Sequence, residues 1–249
     1  MLPVINLGPL SLPAPQFILL VGIWLGSFLA EKQAQKSGDN PEILVKIIWG
    51  SIFAGLLGAR LSFIIRNAGA FTGQWKSVLS INPALLDPAG GVLIAIAIGY
   101  YLAAKANQAN WSLLDKMVPF AAILASAIFL ANFTAGTGFG TLTDLPWGIE
   151  LWGGQRHPVQ LYFFVSSLVV LYLLVVMKQS RTDNPAGSRI LRFIIYTSGY
   201  ITFFSSFQDP GNLVISGFRV IQLSSWIVLF LSIIFYCNRI PKEVNHAPS

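Results

Sequence analysis

Charge is the scarcest thing in this sequence. Charged side chains make up 10% of 249 residues, against roughly 25% in soluble domains, while apolar residues reach 54%. That imbalance excludes an ordinary soluble domain and points to a membrane protein. Cysteine is nearly absent as well: Cys237 is the single one, so no intramolecular disulfide is possible, a cysteine metal cluster is not expected, and the bland reading is a small apolar side chain. Histidine occurs twice, at His157 and His246. The first thirty residues carry no charged side chain, so the basic leader of a cleavable signal peptide is missing and the first apolar run is expected to stay in the mature protein. Tandem repeats, low-complexity tracts, a Walker loop, a dinucleotide fingerprint, an HEXXH helix and lipidation motifs are all lacking. Neither a metal nor a cofactor is implied.

Seven apolar runs approach the roughly 20 residues that a membrane span requires: residues 15–30, 43–65, 88–104, 117–133, 158–177, 191–208 and 220–238. The first and third are short, so six or eight spans stay open. The connections leave no room for a soluble domain, and residues 1–249 read as one polytopic, all-α membrane domain. With seven spans, eleven Lys and Arg fall on the side of the C-terminus and four on the other, with Arg60 inside the second span. The positive-inside rule then places the N-terminus outside and the C-terminus in the cytoplasm. The net charge of +6 is accounted for as a topology signal, and no nucleic-acid partner is called for.

Chemistry concentrates in Thr143–Tyr162, TDLPWGIELWGGQRHPVQLY, which holds Asp144, Glu150, Arg156, His157, three glycines and two prolines between apolar runs. Pro158 suits the first turn of a helix, making His157 the expected N-cap of the fifth span, and Gln160 then shares its helix face. Unpaired N–H groups beside Arg156 and His157 favour an anion such as phosphate. Asp144 before Leu-Pro is expected to anchor a turn. Orientation puts Arg60, Asn132, Gln208 and the Gly90-Gly91 pair in the same outer third of the membrane, with Arg60 roughly 7 to 8 Å below its helix end. Each has a plainer alternative: Arg60 can snorkel or pair structurally, Asn132 can bond across helices, Gln160 can cap or meet headgroups, and Trp147, Trp152 and Tyr162 fit an interfacial aromatic belt. With no intramembrane acid and no broken helix, a transporter is the weaker reading.

Several stretches, in order, resemble the prolipoprotein diacylglyceryl transferase family: VINLGPLSL before the first span, GARLSF at Gly58–Phe63, ANFTAG at the end of the fourth, and TDLPWGIE followed by RHPVQLYF. The resemblance covers nearly the whole chain, and RHPVQLY is its most specific part. It implies a seven-helix protein of the bacterial plasma (inner) membrane with an outside N-terminus. The implied activity moves the diacylglyceryl group of phosphatidylglycerol onto the lipobox cysteine thiol of a prolipoprotein and releases glycerol phosphate. Arg60, Asn132, Arg156, Gln160 and Tyr162 would then bind substrate, and His157 would be the catalytic group. The chain departs from the family's pattern where Arg is expected at Phe129, Asn and Glu at Ala135 and Thr137, Glu at Phe163, and the Glu, Arg, Pro and Asp of the sixth-span motif at Ser205, Gln208, Pro210 and Gly211. The third span lacks the family's histidine, and Pro13, Ala14 and Pro15 replace an Arg-Trp-Tyr. A second reading is therefore a catalytically degenerate homologue that binds phospholipid or a lipidated partner.

Overall fold

The computed structural model describes residues 4–7, 10–71, 85–151, 153–177, 185–209, 214–215 and 218–239. A short antiparallel hairpin, β1 (Val4–Leu7) with β2 (Leu10–Pro13), leads into α1 (Ala14–Lys36). There follow α2 (Pro41–Arg66), α3 (Pro88–Lys105), α4 (Trp111–Ala135), the hairpin β3 (Ile149–Leu151) and β4 (Gly154–Arg156), α5 (Val159–Leu171), α6 (Ser188–Phe204), the short strands β5 (Val214–Ile215) and β6 (Phe218–Arg219), and α7 (Val220–Arg239). A π-helical turn, Tyr172–Val176, prolongs α5, and a 3-10 turn, Ser205–Phe207, closes α6. Among the described residues seven helices are long and apolar enough to cross a membrane, one for each apolar run of the sequence. Trp152, Lys76, Lys178, Arg181, Pro210, Gly211 and Lys242 lie outside the described residues.

Local chemistry sets the helix ends. Asn40 accepts the Glu42 N–H at 2.9 Å ahead of Pro41, as the Asp-Asn-Pro run indicates. Asp87 accepts the Ala89 N–H at 3.2 Å ahead of Pro88. At the end of α4, Gly136 takes φ +71° while its N–H bonds the Phe133 carbonyl and the Thr137 N–H bonds that of Asn132, a Schellman closure that needs a residue tolerant of positive φ.

By contacts the chain divides into two compact units, residues 1–30 with 114–249, and residues 31–113. In the smaller unit α2 and α3 meet along small residues. Ser51, Gly55 and Ala59 on α2 face Gly99, Ala95 and Gly91 on α3, every fourth residue on each helix, and a Cβ on Gly91 would stand 2.9 Å from both the Ala59 Cβ and the Gly55 carbonyl oxygen. Backbones this close give dispersion contact where apolar burial offers nothing, lipid tails being as apolar as side chains. Gly90, packed against Ser62, belongs to the same seam, so the glycine pair that opens α3 serves helix packing and not a cavity wall.

In the larger unit a buried cluster of Val118, Val170 and Leu174 joins α4 to α5 and its π turn, with Ile190, Phe193 and Tyr200 of α6 packed against it. The Asp115 carboxylate, near the start of α4, accepts the N–H groups of Gly187 and Ile190 at 2.7 and 2.8 Å. It thereby caps α6 from another helix, next to Gly187 at φ +93°.

Candidate functional site

The stretch that carries the chemistry is built as extended chain. Gly153, at φ +75°, lies between β3 and β4, which pair antiparallel from Ile149 with Arg156 to Leu151 with Gly154. A third extended segment, 139–143, runs between this hairpin and residues 207–209. Its bonds to the hairpin side are His157 N–H to Thr141, Gly140 N–H to His157 and Thr143 N–H to Gln155, at 2.9 to 3.1 Å. On its other side the Thr141 N–H meets Phe207 at 2.8 Å and the Asp209 N–H meets Phe139 at 3.0 Å. Gly140 fits this middle position because it has no side chain: a Cβ there would come within 2.5 Å of His157 and 2.8 Å of the Phe207 carbonyl. The region is a paired hairpin and not the open loop that its glycines and prolines suggest. Gly153-Gly154 between two short β-compatible runs is the signal that could have found the hairpin.

Strand pairing also corrects the reading of His157 as a helix cap. Its N–H and carbonyl are engaged by Thr141 and Gly140, so α5 starts later: Pro158 is the N-cap, Val159 the first helical residue, and no side chain caps this end. Gln160 accordingly does not share a helix face with His157. The imidazole turns instead to Tyr162, with Nδ1 3.3 Å from the phenol oxygen, and that oxygen accepts the Trp147 indole N–H at 2.9 Å. The His157 ring lies 5.1 Å from that of Phe207, and the Tyr162 ring 5.3 Å from that of Phe204. Asp144 is exposed, and the following turn is held by the Thr143 hydroxyl, which accepts the Leu145 N–H at 3.3 Å.

Arg156 is the enclosed cation of the site. Its side chain is 19% exposed and one Nη donates to the Gly140 carbonyl at 3.3 Å and to Asp209 at 3.2 Å, while Nε donates to the Leu151 carbonyl at 3.3 Å. The guanidinium carbon sits 5.0 Å from the Phe139 ring centroid, a favourable cation–π distance. Gln160 is 3% exposed and donates to the Thr137 carbonyl at 2.8 Å. Arg156, His157 and Gln160 line one cavity of about 10 Å³ together with Phe133, Phe139 and Pro158, room for about one water. Asn132 and Tyr162 stand outside that lining. Asn132 contributes its carbonyl to the closure of α4, and its side chain lies 3.5 Å from the Thr137 hydroxyl.

Arg60 belongs to the smaller unit. There it donates to the Leu85 carbonyl at 2.9 Å and faces the Phe71 ring at 5.8 Å, beside a second acid–base cluster. Asp87 accepts the Ser62 hydroxyl at 2.6 Å and Arg66 at 3.1 Å. The Ser62 hydroxyl first, and then Arg66, hold the Asp87 carboxyl below its ordinary range.

Phe129 and Phe163, two positions where the family resemblance called for charge, stack on each other at 4.8 Å with Tyr200 beside both. Ser205, a third, is fully buried, and its carbonyl receives a 2.6 Å hydrogen bond from Arg219. Arg219 was absent from the candidate residues because only long-range folding brings it to the end of α6. Among the described residues no three His, Cys, Asp or Glu side chains gather in a way that could hold a metal ion.

The described residues thus form an all-α protein with seven helices fit to cross a membrane, carrying a small extended-chain layer that holds an enclosed arginine and a histidine. The family model described as prolipoprotein diacylglyceryl transferase matches residues 3–238, and the chain belongs to that family. Among curated relatives, it is 25% identical over 217 residues to a phosphatidylglycerol–prolipoprotein diacylglyceryl transferase of Finegoldia magna, covering 87% of each chain. It is 27% identical over 244 residues to the protein of the same name from Geobacter sulfurreducens, covering 92% of this chain and 91% of the relative. With the one from Clostridioides difficile it shares 26% over 231 residues, 92% of this chain and 91% of that one.

Proposed function

We propose that this protein is a phosphatidylglycerol:prolipoprotein diacylglyceryl transferase of the bacterial plasma membrane, with its N-terminus outside and residues 1–249 acting as one membrane domain. The observation that carries the reading is the family match over residues 3–238, joined to an enclosed arginine next to a histidine at the RHPVQLY run. The relatives' shared name favours this over a degenerate lipid-binding homologue. In the reaction the cysteine sulfur of a lipobox forms a bond to the glycerol carbon of phosphatidylglycerol. The carbon–oxygen bond to phosphate breaks, glycerol phosphate leaves with the electron pair, and the thiol proton is released to water or to the leaving phosphate.

Arg156 is the phosphate-binding cation in this account, and it works by exchange. Its partner Asp209 is 39% exposed whereas Arg156 itself is enclosed, so a lipid phosphate can take the carboxylate's place without unfolding the site, and the planar guanidinium suits phosphate better than an ammonium would. Gln160, Asn132 and Tyr162 are assigned to the substrate side and His157 is the catalytic ring, while Arg60 offers a cation within its own unit. An apolar groove of about 300 Å³ along α6 and α7, with Phe193, Ile194, Ile201, Ile221 and Val228 in its wall, offers space for part of an acyl chain.

The test is purified protein in phosphatidylglycerol vesicles with a lipobox peptide. Diacylglyceryl thioether on the peptide cysteine, matched by released glycerol phosphate, is the expected result, and neither product forming would refute the reading. Reporter fusions after Gly38, Asn110 and Asn184 check the orientation: all three should report cytoplasm.

A further inference from the structure

The proposed reading leaves open what the His157 ring offers a ligand. We infer that Trp147 and Tyr162 are positioning residues that set its tautomer, so that neutral His157 carries its proton on Nε2 and meets its ligand as a hydrogen-bond donor, not as a base. The argument follows the hydrogens. An indole N–H can only donate, so at 2.9 Å Trp147 occupies a lone pair of the Tyr162 oxygen. The phenol has one proton to give. Among the described residues its oxygen has two hydrogen-bonding neighbours, Trp147 and the His157 Nδ1 at 3.3 Å, and only Nδ1 can accept.

The opposite arrangement, with a proton on Nδ1, would bring two donors to the phenol oxygen and leave its own proton without an acceptor among those neighbours. The bond made by one ring nitrogen decides which nitrogen is protonated. A distance of 3.3 Å is long for such a bond, but donation from Trp147 polarises the phenol and strengthens the link. Contacts with Phe207 and Phe204 restrain the two rings.

This inference rests on the transferase reading only for the identity of the ligand. Within that reaction an Nε2–H donor stabilises the phosphate oxygens as the carbon–oxygen bond breaks and negative charge gathers on the leaving group. The thiol proton then goes elsewhere than His157, as the balance written above allows. A neutral imidazole used as donor is a known way to polarise an oxygen without moving a charge.

The experiment needs neither lipid nor peptide. Full-length protein in detergent micelles is labelled with ¹⁵N-histidine and observed above about pH 8, where imidazole is ordinarily neutral. Only two rings contribute, His157 and His246, and His246→Gln assigns them. The expected spectrum of His157 has the proton on Nε2 and a hydrogen-bonded, unprotonated Nδ1. Tyr162→Phe should shift the Nδ1 signal and let the Nδ1–H form appear, and Trp147→Phe should act in the same direction but less. A wild-type ring protonated on Nδ1 would overturn the inference while leaving the transferase reading intact, as would Tyr162→Phe moving neither nitrogen. If Tyr162→Phe does not fold, the wild-type spectrum decides alone. Absence of transfer with the Nε2–H ring in place would count against the transferase reading instead.

Discussion

Two arginine–aspartate pairs of nearly equal length, one in each unit, are built in opposite senses. In Arg66–Asp87, at 3.1 Å, the arginine side chain is 69% exposed and the carboxylate 12%; in Arg156–Asp209, at 3.2 Å, the arginine is 19% exposed and the carboxylate 39%. Asp87 is the anchored member of its pair, held by the Ser62 hydroxyl and the Ala89 N–H where it caps α3. Arg66 is an accessory that solvent screens. In the second pair the cation is anchored, by two carbonyls and an aromatic face, and the acid is the more exposed member. A distance criterion alone ranks the pairs as equals. Which partner is enclosed separates the structural cap from the cation proposed to meet an incoming anion.

The largest expected effect comes from attacking the enclosed cation. Arg156→Gln should lower transfer from phosphatidylglycerol by on the order of 100-fold or more, the loss seen when one strong transition-state donor is removed, with the steady-state rate in vesicles as the readout. Next is the backbone approach that holds His157 in place. Gly140→Ala forces a Cβ against His157 and Phe207 and should destabilise the protein by about 1 to 3 kcal/mol, the usual range for overpacking, read as a lower Tm in detergent by tryptophan fluorescence.

Removing the anchored acid of the other pair should lower Tm and leave transfer nearly unchanged. The effect of Asp87→Ala has a definite pH dependence. The Asp87 carboxyl titrates below its ordinary value of 3.8 in the folded protein, so its stabilisation is fully present above that value and is lost as pH falls through the lower folded-state pKa. The Tm difference between wild type and variant should therefore be constant near neutrality and close up below about pH 4. Arg66→Gln is the smallest: neither Tm nor transfer should change appreciably, since exposed pairs contribute little. A transfer loss from Arg66→Gln comparable to that from Arg156→Gln would erase the contrast between the two pairs.

Much of this architecture was legible in the residues. Each apolar run became a helix, and Asn40-Pro41 marked a helix start because Asn accepts the N–H two residues on while Pro needs none. What escaped was determined at long range. His157 before Pro158 reads locally as a cap, yet its backbone is taken by residues sixteen and more positions earlier in the chain, Gly140 and Thr141, and nothing near His157 in the sequence announces that pairing. The exposed Asp209 opposite Arg156, and Arg219 beneath the end of α6, were likewise hidden by separation of 53 and 14 residues. Gly90-Gly91 was visible as a pair but ambiguous, since a glycine that admits a ligand and a glycine that admits another helix look alike until the neighbour is known.

The central claim is that Arg156 holds Asp209 in place of a lipid phosphate, and the most direct measurement is retention of phosphatidylglycerol relative to phosphatidylethanolamine by native mass spectrometry for wild type, Asp209→Asn and Arg156→Gln. With the competing carboxylate gone, Asp209→Asn should retain phosphatidylglycerol at least as well as wild type, while Arg156→Gln should lose the preference for the anionic lipid. Loss of phosphatidylglycerol by Asp209→Asn to the level of Arg156→Gln would contradict the account, because the pair would then be a fixed structural bridge and not an exchangeable one.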